Sequence, residues 1–158
     1  IKSILAKVGE GTVHRLWEPS KEKKNPSTPY SAKFSVPYCV AVGFLRGDAG
    51  LSEFNEQSIK DKQILELAHK VQYEIDPNDE YPKNYTGTLI CETDDGVFEE
   101  HQPCFRGGRK QPVTKEDIEK KYQANLKFSK ISDKEIKNLN SFVDTIFQKP
   151  DFTKIIIQ

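Results

Sequence analysis

Methionine is absent from this 158-residue chain, tryptophan occurs once and cysteine only three times. Cys39, Cys91 and Cys104 are odd in number and show no C-x-x-C spacing, which argues against a disulfide framework and against a structural zinc site. Reduced thiols in a cytoplasmic protein are the expectation that follows. Charge of one sign is lacking as well, because 24 Lys+Arg balance 24 Asp+Glu. A chain built to grip a nucleic-acid backbone carries a basic excess, so nucleic acid is not an expected partner. Long apolar runs are missing too. The longest, Val36 to Leu45, contains Pro37 and is far shorter than the roughly 20 residues of a helical span, so no membrane is expected. No secretory pattern is visible, and Asn84-Tyr85-Thr86 is read as a chance match to the glycosylation pattern.

What is present reads as globular: 35% hydrophobic, 30% charged, and long enough for one domain with a core, or one domain and a short appendage. The chain opens on Ile1-Lys2-Ser3-Ile4, which reads as the middle of a strand, and closes on the apolar Ile155-Ile156-Ile157. Both ends carry the expectation of a piece cut from something larger.

Ile4, Ala6 and Val8 alternate with polar residues and predict a half-buried strand, with Val13 to Trp17 continuing it or pairing with it. Residues 18–30, with Pro19, Pro26 and Pro29 among polar residues, predict an exposed loop. A helix is expected over 32–46, ended by Gly47, with Pro37 tolerated in its first turn and nearly every side apolar, hence buried. Asp61 caps a second helix, with Ile64, Leu65, Ala68 and Val71 on one face. Val71, Tyr73 and Ile75 alternate as a strand that Pro77 ends. Thr86 to Thr93 and Val97 to Gln102 flank Asp94-Asp95-Gly96, a hairpin signal suited to a type I′ turn. Thr114 with Asp117, and Ser132 with Glu135, open two helices by the capping pattern, the second stopped by Pro150. The order predicts an α+β, two-layer arrangement, a sheet with helices on one face.

Four constellations carry possible chemistry. Tyr30 to Tyr38 joins the proline-rich loop to the apolar helix, and such a junction presents free amide hydrogens and positive dipole to an anion. There Lys33 neutralises a carboxylate, Ser35 donates a hydrogen bond, and the Tyr38 hydroxyl serves as proton donor or anchor. The alternative is a capping serine and a core tyrosine satisfied by backbone. Arg106-Gly107-Gly108-Arg109-Lys110 places three cations around two glycines, a carboxylate cradle or else a solvated turn. His101 and Cys104 have the residue types of half a metal site or of a nucleophile and base. No second half and no orienting third group is found, so no metal is expected. Lys21-Glu22-Lys23-Lys24, mixed in sign, reads as solvated loop. Composition and spacing stop at an α+β domain with a carboxylate-binding edge.

Ser31-Ala32-Lys33-Phe34-Ser35-Val36-Pro37-Tyr38-Cys39-Val40-Ala41 resembles the segment opening the long helix of the second domain in the MmgE/PrpD family. The turn from Gly47, the helix and strand ending in Asp76-Pro77, the hairpin around Asp95-Gly96, and the Gly-rich turn leading into Glu116-Asp117-Ile118-Glu119-Lys120-Lys121-Tyr122 follow in the family's order. Arg106 to Gln111 departs from it, lacking the Asn-Pro common there.

The family includes 2-methylcitrate dehydratase, cis-aconitate decarboxylase and iminodisuccinate epimerase, which move protons beside carboxylates. The resemblance implies a lyase, a hydro-lyase of propionate metabolism first, acting on a di- or tricarboxylate without a cofactor. It also implies that residues 1–130 form the α+β second domain. Residues 131–158 then return to a helical domain absent from this chain, which supplies most acid-base residues and leaves the piece inactive alone. A homodimer is implied for the complete protein. Carried over by position, Tyr38 is catalytic and Lys33, at a position that is basic in related sequences, is substrate-binding; Ser35, Arg109 and Lys110 are substrate-binding on their chemistry. Competing readings are a decarboxylase or epimerase, a domain that only binds carboxylates or mediates dimer contacts, and an unrelated α+β interaction module.

Overall fold

The computed structural model describes residues 1–145, which form two compact units, one from Ile1 to Thr114 and one from Lys115 onward. The helix stop at Pro150 and the Ile155–Ile157 tail lie outside the described residues.

The first unit is an α+β layer pair. β1 (Ser3–Val8) is central, pairing in parallel with β2 (Val71–Ile75) and antiparallel with β3 (Gly87–Thr93), which pairs in turn with β4 (Gly96–Gln102). The order is β2-β1-β3-β4. Alternation places Ile4 and Ala6 on one face, and the register sets them beside Val71 and Tyr73 on one side and Cys91 and Leu89 on the other. Helices cover that face. α4 (Val36–Arg46) contributes buried Tyr38, Ala41 and Val42, and α5 (Lys62–Lys70) contributes Ile64, Leu67 and Ala68.

The stretch between β1 and α4 departs from the sequence reading. Val13 to Trp17 does not extend the strand: α1 (Glu10–Leu16) is a helix, and Trp17 is buried against the tilted ring of Tyr73. Both edges of β1 are already occupied, so a further strand has no place to pair. The expected loop at 18–30 holds α2 (Ser20–Lys24) and the start of α3 (Pro29–Ala32). Two of its three prolines begin helices rather than interrupt them, Pro19 preceding α2 and Pro29 standing in the first turn of α3, while Pro26 lies between the two helices. The helix expected over 32–46 therefore begins only at Val36, capped by Ser35, while Ala32 is the last residue of α3. Nor is α4 buried all round, since Phe44 and Leu45 stand 46% and 41% exposed near its end.

Elsewhere the reading holds, with small changes. Asp61 caps α5 through Gln63 N–H, but Val71 leaves the helix and opens β2. The hairpin forms with Asp94 and Asp95 as its two loop residues. Neither has positive φ, while Gly96, at +137°, begins β4, so the turn is not type I′.

The second unit pairs α6 (Lys115–Ser129) with α7 (Asp133–Thr145). Tyr122 Oη donates to Asn140 Oδ1 at 2.7 Å, and Lys130 takes the left-handed conformation between the helices. Ser132 N–H donates to Glu135 Oε2 and Glu135 N–H to Ser132 Oγ, the reciprocal cap that the spacing predicts. Among the described residues no helix is long and apolar enough to cross a membrane.

Candidate functional site

The junction between α3 and α4 is built from backbone carbonyls that need partners. Ser35 is buried, its Oγ accepting from Tyr38 N–H at 3.1 Å and donating to the carbonyl of Lys23. Lys23, expected in a solvated loop, is half-buried and ties three segments together. Its Nζ donates to the carbonyls of Arg15 and Phe34 while its own carbonyl takes the Ser35 hydroxyl. A helix N-terminus close to this ammonium and closed by a serine cap leaves little free donor capacity for a ligand.

Tyr38 lies deeper, with no exposure, its ring tilted against Phe54 and its hydroxyl donating to the Glu53 carbonyl at 2.9 Å. Burial, with smaller contributions from Cys39, Asp61 and Glu53 against an opposing one from Arg46, pushes its pKa up to about 12. At neutral pH this group is a donor and never a base. Lys33 is exposed at the end of α3, and no hydrogen bond or ion pair engages its ammonium among the described residues. Cys39 is also pushed up, to about 11, by burial, which makes it an inert thiol.

A separate place gathers the other two sequence candidates. Arg109 and Lys110 are the central residues of a turn closed by Gln111 N–H to the Gly108 carbonyl at 3.1 Å, with Gly107 N–H to the Gln111 carbonyl at 2.7 Å. Its glycines serve geometry first. Gly107 has φ +94°, and a Cβ on Gly108 would stand 2.6 Å from the Phe105 ring. The turn forms one wall of a groove of about 710 Å³, whose other wall is the segment 78–84 after β2. Lys83, which sequence reasoning missed, lines the groove with Arg109 and Lys110. Nothing in the local sequence marks Lys83, because only the hairpin between them folds the two segments together. Lys33, Ser35 and Tyr38 do not line this groove.

The walls are held by buried Asn84, whose Nδ2 donates to Glu80 Oε2 and to the Pro103 carbonyl, each at 2.9 Å. That bond removes Asn84 from the surface, consistent with reading its glycosylation pattern as chance. Tyr85 meets Tyr81 and Phe105 edge to face, at 5.2 and 5.7 Å between ring centroids. His101 and Cys104 are not joined. Thr88 Oγ1 lies 2.8 Å from His101 Nδ1, whereas Cys104 Sγ is 4.0 Å from Gln111 Oε1. Among the described residues no three His, Cys, Asp or Glu side chains are grouped to hold a metal.

The sequence profile of the MmgE/PrpD C-terminal domain matches residues 1–145. Cis-aconitate decarboxylase of Mus musculus is 30% identical over 105 residues, covering 63% of this chain and 21% of that protein. Cis-aconitate decarboxylase of Homo sapiens matches with the same identity and coverage. The chain thus spans about a fifth of the length of these relatives. With the α+β layers, the split helical junction and the 107–111 turn all inside the matched span, the chain belongs to the MmgE/PrpD family, as its C-terminal domain.

Proposed function

We propose that this domain is part of a lyase acting on a di- or tricarboxylate by proton chemistry at a carbon beside a carboxylate. The observation that carries the reading is the family match across 1–145, joined by relatives named for a carbon–carbon lyase activity. Removing such a proton leaves carbanion-like charge that spreads onto the neighbouring carboxylate, so the reaction needs cations and hydroxyl donors fixed around that group. Lys33, Arg109 and Lys110 are cations whose side chains no hydrogen bond or ion pair engages among the described residues, Arg109 and Lys110 at the groove and Lys33 apart from it. Tyr38 is the proposed phenol donor, engaging substrate by exchanging the Glu53 carbonyl for a substrate oxygen. Ser35 supports it by capping α4. On this reading the acid-base residues belong to a helical domain outside this chain, so the isolated piece is inactive; a homodimer of the complete protein is a separate part of the proposal, drawn from the family resemblance. No cofactor is needed for this chemistry.

Two lyase reactions pass through such charge. In dehydration the proton leaves first and the electron pair expels a hydroxyl from the adjacent carbon, whereas in decarboxylation the electrons of the broken C–C bond stay on carbon as carbon dioxide leaves, and carbon then takes up a proton. The hydro-lyase reading takes 2-methylcitrate as substrate; the relatives favour decarboxylation of cis-aconitate. Incubating the full-length gene product with 2-methylcitrate, citrate and cis-aconitate, followed by NMR, separates them by product. Turnover of one acid, lowered by Tyr38→Phe, is the expected result, and no turnover of any would sink the lyase reading. A second reading, a domain that only binds carboxylates or contacts a second copy, draws support from the engagement of both the Ser35 and Tyr38 hydroxyls by carbonyls. On that reading Tyr38→Phe lowers stability and leaves turnover unchanged.

A further inference from the structure

We infer that the groove between segment 78–84 and the 107–111 turn is a preorganised polycarboxylate site, in which Lys83 acts together with Arg109 and Lys110. Its ligand class rests on the carboxylate-lyase reading; its existence rests on the geometry. Five ionised side chains line the groove, three cations and two carboxylates. The carboxylates are engaged inside the protein. Asp79 accepts from Tyr81 N–H and from the Thr86 hydroxyl, and Glu80 accepts from Asn84. The cations are not, since among the described residues no hydrogen bond or ion pair engages the side chains of Lys83, Arg109 or Lys110. The groove therefore presents net positive charge that the fold leaves unanswered, within a volume suited to a small molecule.

The walls do not have to assemble on binding. Asn84 bonds the Lys83 wall to the Pro103 carbonyl, and Gln102 Nε2 donates to the Cys104 carbonyl and to Gln111 Oε1, which fixes the turn to the end of β4. Cations on backbone segments fixed in this way lose less freedom when a ligand arrives than cations on free loops, although their own side chains still have to be ordered. Three of them match a ligand with two or three carboxylates and discriminate against one with a single carboxylate, which leaves two charges unpaired. Arg109 adds a planar fork that pairs with both oxygens of one carboxylate.

The test uses the full-length gene product and titration calorimetry with tricarballylate, which has three carboxylates and no hydroxyl to lose, against butyrate and inorganic phosphate. Tricarballylate is expected to bind well above butyrate and phosphate. Lys83→Gln and Arg109→Gln should each weaken it about tenfold, the usual scale for a charge-assisted hydrogen bond. Lys21→Gln, an exposed cation outside the groove, should leave it unchanged. Tricarballylate affinity equal in wild type, Lys83→Gln and Arg109→Gln overturns the site, even if the wild type turns over an acid. Phosphate binding as tightly as tricarballylate overturns the polycarboxylate assignment. Charge-dependent tricarballylate binding in a protein that turns over none of the acids upholds the site and removes only the lyase reading.

Discussion

At the scale of single residues, hydroxyl chemistry in this domain is set by what each oxygen touches. Tyr38 reads in sequence as either a proton donor or a core residue, and its ring is found buried with its hydroxyl on the Glu53 carbonyl. Tyr38→Phe leaves that carbonyl without its donor, and urea denaturation should show a loss of about 1 kcal/mol. The raised phenol pKa has a definite sign. Its stabilisation is intact below the ordinary value of 10.0 and is lost as pH climbs through about 12. The urea midpoint of the wild type should therefore fall more steeply than that of Tyr38→Phe between those values; parallel curves would contradict the burial argument. Gly108 gives a steric counterpart. A Cβ there meets the Phe105 ring, so Gly108→Ala should cost about 1–3 kcal/mol in a thermal melt and displace the turn carrying Arg109 and Lys110.

At the scale of elements, periodicity found the strands and most of the helices, because alternation and capping are local. Ile4-Leu5-Ala6 and Val71-Gln72-Tyr73 announce β1 and β2, Asp61 announces α5, and Ser132 with Glu135 announces α7. The segment from 10 to 35 resisted this reading for a physical reason. Its helices are one or two turns long, too short for a 3.6-residue pattern to declare itself, and their prolines sit at starts. What holds them is non-local, above all Lys23 reaching the carbonyls of Arg15 and Phe34. Ser35 is the hinge of that arrangement. Ser35→Ala removes the α4 cap and the partner of the Lys23 carbonyl in a buried setting, and should cost about 2 kcal/mol. Asp61→Ala, at a half-exposed cap whose pair with Arg46 faces solvent, should cost about 1 kcal/mol. Equal losses in the two variants would remove the special weight given to the Lys23 network.

At the scale of the whole molecule, the first unit covers one sheet face with helices and leaves apolar side chains outside. Phe44, Leu45 and Leu51 are each more than two-fifths exposed near the end of α4. Exposed apolar side chains of this size favour association with a copy when nothing else covers them. The 158-residue chain expressed alone should self-associate in light scattering, and Phe44→Lys with Leu45→Lys should reduce that; a clean wild-type monomer would count against it. By itself the sequence determined the fold class, the strand positions, the capped helices and the family, since these depend on spacings of a few residues and on the order of motifs. Only the tertiary structure decided which candidate residues share a place. It set Ser35 and Tyr38 against backbone and brought Lys83 to Arg109 and Lys110 across a hairpin. Contacts between distant segments depend on how strands pair and loops close, and no local pattern around Lys83 records them.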